Sequence, residues 1–501
     1  MLLNKLIKFF SRKRLREIEF FKKNPRVAQE KIFLYLVGRA KNTEWGQKYG
    51  YTDIKAINDF REKVPIFSYA DFEPHIKRMM AGERNILWPG RIKWFAKSAG
   101  TTSSRSKFIP VSKETLKNIH FKGGRDILYL YLKNVPNSKV LSGQHVAVAG
   151  NLDSAPAKGI FIGDISSVML KNLPWYAKFF VGPGIKNSLL KNWEEKAEKI
   201  AKIVSKKNIT MIAGVPSWIA FLLKKFLETG KKKNIFEIWP NFELFVHGGV
   251  SLKPYQKILH DLLPPERVNY LEVYNASEGF FAFQDELNRE GMLLMLDYGI
   301  FYEFLSMSEL GKEKPKTLLI DEVKLGENYA IIISTNGGLW RYLIGDTVRF
   351  TSVFPHKVIV SGRTKFFINV FGEEVIVENA EETLRRACQS TGAIATEFTV
   401  GPKIFENNQG AHEWAIEFER GPDDLEFFRQ ELDKSLRELN SDYDAKRQGD
   451  MLLRLPIVNI MPKGTFYEWM KKRDKLGGQH KVPRLSNSRE YLEQILLFAK
   501  I

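Results

Sequence analysis

The sequence predicts an α/β chain of two domains: a large N-terminal one with several sheets over residues 1–362, and a smaller α+β one over residues 363–501. Three observations lead there. The chain has 501 residues, beyond the roughly 250–300 at which a single hydrophobic core stops growing. From about residue 90 to 350, strand-like runs alternate with helix-like ones, as a layered α/β fold requires. From about residue 363 the order changes to helix, alternating strand, helix and strand, which makes a unit of roughly 140 residues.

Taken in order, residues 1 to about 90 read as helical, with Pro25, Pro65 and Pro74 as punctuation. RIKWFAKS (91–98) enters a polar loop as a strand would. KNWEEKAEKIAKIV (191–204) sets Trp193, Ala197, Ile200 and Val204 at helical spacing. FELFVHGGV (242–250) and NYLEVYNASEG (269–279) are short β-rich runs that end in polar or glycine turns. YAIIISTNGG (329–338) reads as a buried strand and a glycine turn. In the second domain, EEVIVENAEETLRRAC (373–388) is helix-like, and AHEWAIEFE (411–419) puts Trp414, Ile416 and Phe418 on one face. Residues 423–440 form another amphipathic helix, and LRLPIVNIM (453–461) contains a strand. Active loops in such folds gather at the carboxyl ends of strands.

A hydrophobic content of 44% supports packed cores rather than disorder. The one cysteine, Cys388, excludes an internal disulfide and a cysteine zinc cluster, and fits a reducing, cytoplasmic interior. No run reaches the roughly 18 apolar residues of a membrane span, and the N-terminus lacks a signal-peptide pattern. The net charge of +19 suits nucleic acid, an anionic membrane or an anionic small molecule. The lysines are scattered without interleaved aromatics, and no helix-turn-helix or RNA-recognition signature occurs, which argues against nucleic acid. In the first helix, Leu2, Leu3, Leu6, Ile7, Phe9 and Phe10 fall largely on one side, with Lys5, Lys8 and a cluster from Arg12 to Arg16. That pattern fits weak contact with a membrane surface, or packing on its own domain behind a solvated basic face.

KSAGTTSSRSKFIP (97–110) is rich in hydroxyls. It fails as a Walker A loop, because the second glycine is missing and Phe108 stands where the Mg²⁺-binding hydroxyl belongs. Its hydroxyls and backbone N–H groups suit a polyphosphate, and they also suit an ordinary polar turn. HGGVSLKPY (247–255) puts Gly248 and Gly249 after an apolar strand, where a flat ring can approach the backbone. YNASEG (274–279) ends a strand with Glu278, a carboxylate able to hold Mg²⁺. RYLIGDTVRF (341–350) sets Asp346 after Gly345, placed to accept from a ribose diol. Each alone is equally well a turn glycine or a solvated carboxylate.

In this order, and with Gly362 and Arg363 in VIVSGRTKFFINVFGEEV, these segments resemble the adenylate-forming superfamily. The chain more closely resembles the GH3 family of acyl acid–amido synthetases, through SAGTTSSRSKFIP, AGVPSW (213–218), YNASEG, LNSDYDAKR (439–447), PKGTF (462–466) and GGQHKVPR (477–484). The resemblance runs from about residue 25 to the end. It implies that the N-terminal domain binds ATP and an acyl acid, while the C-terminal domain is a mobile lid. It puts Ser98, Thr101, Thr102 and Lys107 around the β- and γ-phosphates, and Gly248, Gly249 and Tyr274 beside the adenine. It puts Ser277 and Glu278 near the α-phosphate and Mg²⁺, and Asp346 on the ribose. Arg363 would reach the ribose or phosphate, and Lys481 would swing in during adenylation. Two positions depart from the pattern. Ser104 stands where many relatives have glycine, and Lys365 replaces the frequent hinge aspartate, with Glu373 and Glu374 near the place of a lysine in plant enzymes.

The implied reaction is ATP-dependent activation of a carboxylic acid as its acyl-adenylate, then transfer to an amine, with an amino acid the expected acceptor. Transfer to coenzyme A is the alternative within the same fold; a non-catalytic nucleic-acid or membrane-surface protein is the alternative of another class. His120, His145 and His412 are candidate bases for the second step, each also readable as a structural histidine. A monomer is the expected state.

Overall fold

The computed structural model describes every residue except 1, 99–106, 148, 151, 155–156, 158, 191–192, 250–251, 253–254, 365–366, 369–372, 374, 406–408, 448–452, 474, 477–480, 487 and 500–501. The chain divides into two compact units. The first comprises Met1–Val215, Phe221–Gly249 and Pro265–Ile359; the second comprises Pro216–Ala220, Val250–Pro264 and Val360–Ile501.

The first unit begins with helices Leu2–Lys23 and Pro25–Ala40. Pro25 occupies the opening position of its helix, where its missing N–H costs nothing. Pro74, expected as punctuation, lies inside helix Tyr69–Met80 instead. The Asp71 carboxylate accepts from the Ser68 N–H and hydroxyl, each at 2.8 Å, which secures the start of that helix. Burial of Phe72, Ile76 and Met79 then holds the remaining turns despite the lost bond.

The first helix also corrects the expectation of a wholly solvated basic face. Arg12, Lys13 and Arg16 are exposed, but Arg14 is buried. Its Nε donates to Asp126 Oδ2 and its Nη2 to Asp297 Oδ1, both at 2.8 Å, and the Tyr298 hydroxyl donates to Asp126 at 2.8 Å. A buried guanidinium needs such charge-paired acceptors to offset its desolvation. The side chains of Leu2, Leu3, Leu6 and Phe9 lie outside the described residues.

An eleven-stranded sheet forms the body of this unit. Its strands run Thr317–Leu318, Ile300–Ser306, Asn328–Thr335, Tyr342–Val353, His356–Arg363, Met292–Leu294, Gly279–Phe283, Asn269–Ala276, Leu244–Gly248, Ile209–Gly214 and Gln144–Ala147. The last four are mutually parallel. Gly279–Phe283 turns back antiparallel on Asn269–Ala276. In Asn328–Thr335 every residue after Asn328 is buried, so its unbroken apolar run marks a central strand covered on both faces. A separate four-stranded sheet has the order Lys107–Val111, Trp94–Ser98, Phe161–Gly163, Leu152–Ser154. Helix Trp193–Val204 buries Ala197, Ile200 and Val204, as the sequence spacing predicts.

The second unit has a three-stranded sheet in the order Ile394–Ile404, Gly410–Arg420, Ile457–Met461. Trp414, Ile416 and Phe418 are buried on one face of the middle strand, where they meet Leu384, Phe428 and Leu432 of helices Val377–Thr391 and Leu425–Leu439. The predicted helix over 373–388 begins only at Val377; Val375 and Ile376 pair as a short strand with Ile368 and Phe367. β-Branched residues take that pairing readily. Asp424 caps helix Leu425–Leu439, accepting from Glu426 N at 2.9 Å and Phe427 N at 3.1 Å. Asp424→Ala is expected to destabilise this unit by about 1 kcal/mol in chemical denaturation.

Candidate functional site

In the first unit, Gly248, Ser277, Glu278 and Lys107 fall at strand ends, while Asp346 lies within Tyr342–Val353. Gly248 closes Leu244–Gly248 and pairs with Val273 of the adjacent parallel strand. A Cβ on Gly248 would lie 2.2 Å from the Val273 carbonyl oxygen. The bare backbone is therefore required by the sheet itself, in addition to any flat ring. Gly249, at φ +85°, turns the chain away.

Tyr274 follows Val273, is buried, and packs on the Phe281 ring at 4.7 Å. Its hydroxyl donates to Asp346 Oδ2 at 2.8 Å, which ties strand Asn269–Ala276 to Tyr342–Val353. Gly345, at φ +94°, precedes the buried Asp346. Ser277 and Glu278 make the turn between Asn269–Ala276 and Gly279–Phe283, and both are buried.

Lys107 begins strand Lys107–Val111, where the hydroxyl-rich loop ends. Its ammonium lies 3.2 Å from the Tyr342 hydroxyl, 5.8 Å from the Tyr342 ring and 5.7 Å from the Tyr69 ring. Aromatic faces attract a cation at that range. The Tyr69 hydroxyl accepts from Phe108 N at 2.7 Å. Burial pushes the Tyr69 phenol up to about 12, and the carboxylates of Glu73 and Glu278 add to the shift. Lys107 is thus joined through Tyr342 to the strand that carries Asp346, the acceptor of the Tyr274 hydrogen bond. Tyr342 is the tyrosine of the Tyr-x-x-Gly-Asp run in RYLIGDTVRF but has no role assigned from sequence, and Tyr69 carries no motif signal.

The side chain of Ser98, all of Thr101 and Thr102, and the departures Ser104, Lys365 and Glu374 lie outside the described residues. Arg363 ends strand His356–Arg363 and is half-buried.

The second unit fixes the segment that carries Lys481. Pro483 O accepts from the Thr399 hydroxyl at 2.6 Å, Arg484 O from Val400 N at 2.9 Å, and Val400 O from Ser486 N at 3.1 Å. Arg484 donates to the Tyr255 hydroxyl at 2.7 Å and to Phe398 O at 3.1 Å, and it pairs with Glu397. Tyr255 in turn donates to Glu397 at 3.0 Å. Arg484 and Tyr255 sit in quoted motifs, yet sequence alone gave them no partner. Lys481 is half-buried three positions before this anchor.

Two other motif segments serve packing. In LNSDYDAKR, Tyr443 OH and Arg447 Nε donate to Asp433 Oδ1 at 2.8 and 2.6 Å. In PKGTF, the N–H groups of Gly464 and Phe466 bind the Glu417 carboxylate at 2.9 and 3.2 Å.

None of the three histidines is exposed. Burial takes His120 down to about 4, so it is neutral near pH 7. Burial also lowers His145, whose Nε2 lies 3.0 Å from Val140 O. His412 is buried with Nε2 3.1 Å from Glu373.

A buried acceptor bound by a tyrosine, a cation between aromatic rings and a glycine turn together suit a nucleotide. One buried carboxylate suits Mg²⁺, which takes one or two protein carboxylates with substrate phosphates and water. Among the described residues, no group of three or more His, Cys, Asp or Glu forms a metal cage, and no helix is long and apolar enough to cross a membrane.

Comparison with known proteins follows the same outline. The family model described as the GH3 family N-terminal domain matches residues 14–268, the GH3 central domain matches 293–363 and the GH3 C-terminal domain matches 378–490. The indole-3-acetic acid-amido synthetase GH3.3 of Arabidopsis thaliana is 23% identical over 94% of this chain and 91% of its own. The jasmonoyl–L-amino acid synthetase JAR4 of Nicotiana attenuata is 22% identical over 97% of this chain and 95% of its own. Among solved structures, GH3.15 acyl acid amido synthetase superposes with a TM-score of 0.79 at 16% identity, covering 96% of this chain and 95% of that one. 2-Hydroxyisobutyryl-CoA ligase in the postadenylation state with R3-HIB-AMP gives 0.58 at 14% identity, covering 94% and 90%. The fold is that of adenylate-forming enzymes, with a large multi-sheet N-terminal part and a smaller C-terminal part.

Proposed function

The chain belongs to the GH3 family, and from that premise we propose that it is an ATP-dependent acyl acid–amido synthetase acting on a carboxylic acid and an amino acid. The observation that carries this reading is the Tyr274–Asp346 hydrogen bond, made beside the Gly248–Gly249 turn and next to the turn that holds Glu278.

A carboxylate acylates poorly because oxide is a poor leaving group. Attack of its oxygen on the α-phosphorus of ATP releases pyrophosphate and leaves an acyl-adenylate, whose leaving group is AMP. The amine then attacks the acyl carbon, AMP departs, the ammonium proton passes to a base, and an amide remains. The chain's task is to hold two anions together while charge builds between them.

In this reading Ser98, Thr101, Thr102 and Lys107 hold the outer phosphates. Gly248, Gly249 and Tyr274 border the adenine, and Asp346 accepts from the ribose hydroxyls while Tyr274 fixes its orientation. Ser277 and Glu278 face the α-phosphate, with Glu278 the Mg²⁺ ligand. Bound Mg²⁺ would supply positive charge to the phosphates. Arg363 and Lys481 add cationic charge from residues 363–501, the part read as a mobile lid over the ATP- and acid-binding part of residues 1–362. One chain supplies every one of these groups, so a monomer suffices. The single Cys388, whose thiol burial raises to about 11, fits the reducing cytoplasm.

The test is pyrophosphate exchange with ATP, Mg²⁺ and a panel of carboxylic acids, followed by amino acids or coenzyme A and identification of products by mass. Exchange with at least one acid and an amide product is expected. A thioester in place of the amide would move the chain to the ligase class that uses thiols. Indifference to ATP across the panel, with salt-dependent binding to DNA, would point to the non-catalytic alternative.

A further inference from the structure

Between Asp164 and Glu194 the chain carries four lysines, at 171, 178, 186 and 191, and no acidic residue. In the middle of this stretch, the 3₁₀ helix Trp175–Phe180 exposes Trp175 by 74%, Tyr176 by 58% and Phe179 by 70%. Large aromatics so exposed and adjacent call for an occupant.

The helix is fixed in place. The Phe179 carbonyl accepts from Gln144 Nε2 at 2.9 Å, and Gly182 N donates to His145 O at 2.8 Å. Phe180 stacks on the His145 ring at 5.4 Å. These bonds clip the segment to Gln144–Ala147, the terminal strand of the large sheet. Phe180 and Val181 therefore cover the sheet edge. That duty leaves the three outward rings unexplained.

The charge carried by the segment itself has one sign. Lys171, Lys178 and Lys186 are exposed on the same segment. Arg125, whose side chain is 52% exposed, holds its guanidinium 5.8 Å from the Tyr129 ring and 4.0 Å from the buried Asp126 carboxylate. Trp and Tyr settle at the headgroup level of a bilayer, and neighbouring lysines are drawn to anionic lipid. We propose that Trp175, Tyr176 and Phe179, with Lys171, Lys178 and Lys186, form a docking surface for an anionic lipid bilayer. None of these six residues belongs to the first helix or is among those assigned to the nucleotide site. Docking is peripheral: three rings enter the interface and the lysines meet the headgroups.

Co-sedimentation of the full chain with vesicles of phosphatidylcholine, with and without phosphatidylserine, tests the proposal at low and high salt. Binding should require phosphatidylserine and weaken as salt rises. The combined change Lys171→Gln, Lys178→Gln and Lys186→Gln should cut partitioning on the order of 100-fold, about fivefold for each lysine. Trp175→Ser with Tyr176→Ser and Phe179→Ser should reduce partitioning at least tenfold, with an unchanged unfolding midpoint. Arg12→Gln with Lys13→Gln should leave it within twofold. The proposal is overturned if the wild-type chain ignores anionic vesicles, if the serine variant binds as well as wild type, or if the first-helix variant carries the loss. It is equally overturned if the serine changes alter only self-association in analytical ultracentrifugation, which would assign the patch to a second copy of the chain.

Discussion

Lys481→Ala is expected to fold normally and to lose on the order of 10³ in ATP–pyrophosphate exchange with its cognate acid. The magnitude follows from charge. A carboxylate approaching a triphosphate brings like charges together, and a cation near the developing transition state offsets that repulsion. A unit charge at about 4 Å with an effective dielectric near 20 contributes about 4 kcal/mol, roughly a thousandfold in rate. The fold should survive because the segment is held elsewhere: Thr399 binds Pro483 O, Val400 binds Arg484 O, and Arg484 is fixed by Tyr255 and Glu397. Circular dichroism checks the fold and isotope exchange checks the rate. A loss below tenfold would remove Lys481 from the mechanism.

Glu278→Gln is expected to cost about as much, on the order of 10³ in the same exchange, with a weaker affinity for Mg²⁺–ATP in calorimetry. The substitution keeps the size of a buried side chain and removes its charge, so packing is not the variable. Wild-type Mg²⁺–ATP affinity together with exchange within tenfold of normal would assign Glu278 to the turn alone. The two variants separate cleanly: loss of Lys481 should leave ground-state binding of Mg²⁺–ATP nearly intact, whereas loss of Glu278 should weaken it.

Local structure was legible wherever one segment carried its own pattern. Helical spacing gave Trp193–Val204, and alternation gave Gly410–Arg420. The apolar run ending in two glycines gave Leu244–Gly248 and its turn. What could not be read was pairing at a distance. Met292–Leu294 pairs with His356–Arg363, and nothing in either segment names the other. The same blindness applied to the site. Tyr274 and Asp346 were each singled out for a separate duty, but they lie 72 positions apart, and only the folded sheets join the phenol to the carboxylate. Arg14 looked like one more cation on a basic helix because its partners, Asp126 and Asp297, come from remote stretches. Pro74 and the Val375–Ile376 strand show tertiary packing and pairing overriding a local signal.

The second unit is built from three stretches of chain, Pro216–Ala220, Val250–Pro264 and Val360–Ile501. Tyr255, from the middle stretch, grips Arg484 and Glu397 from the last. The C-terminal third is therefore no cassette to be cut out or grafted at one junction. A chimera with a single crossover near residue 360 would mate one parent's tyrosine with the other's arginine, so recombination among relatives must carry residues 250–264 along with the tail.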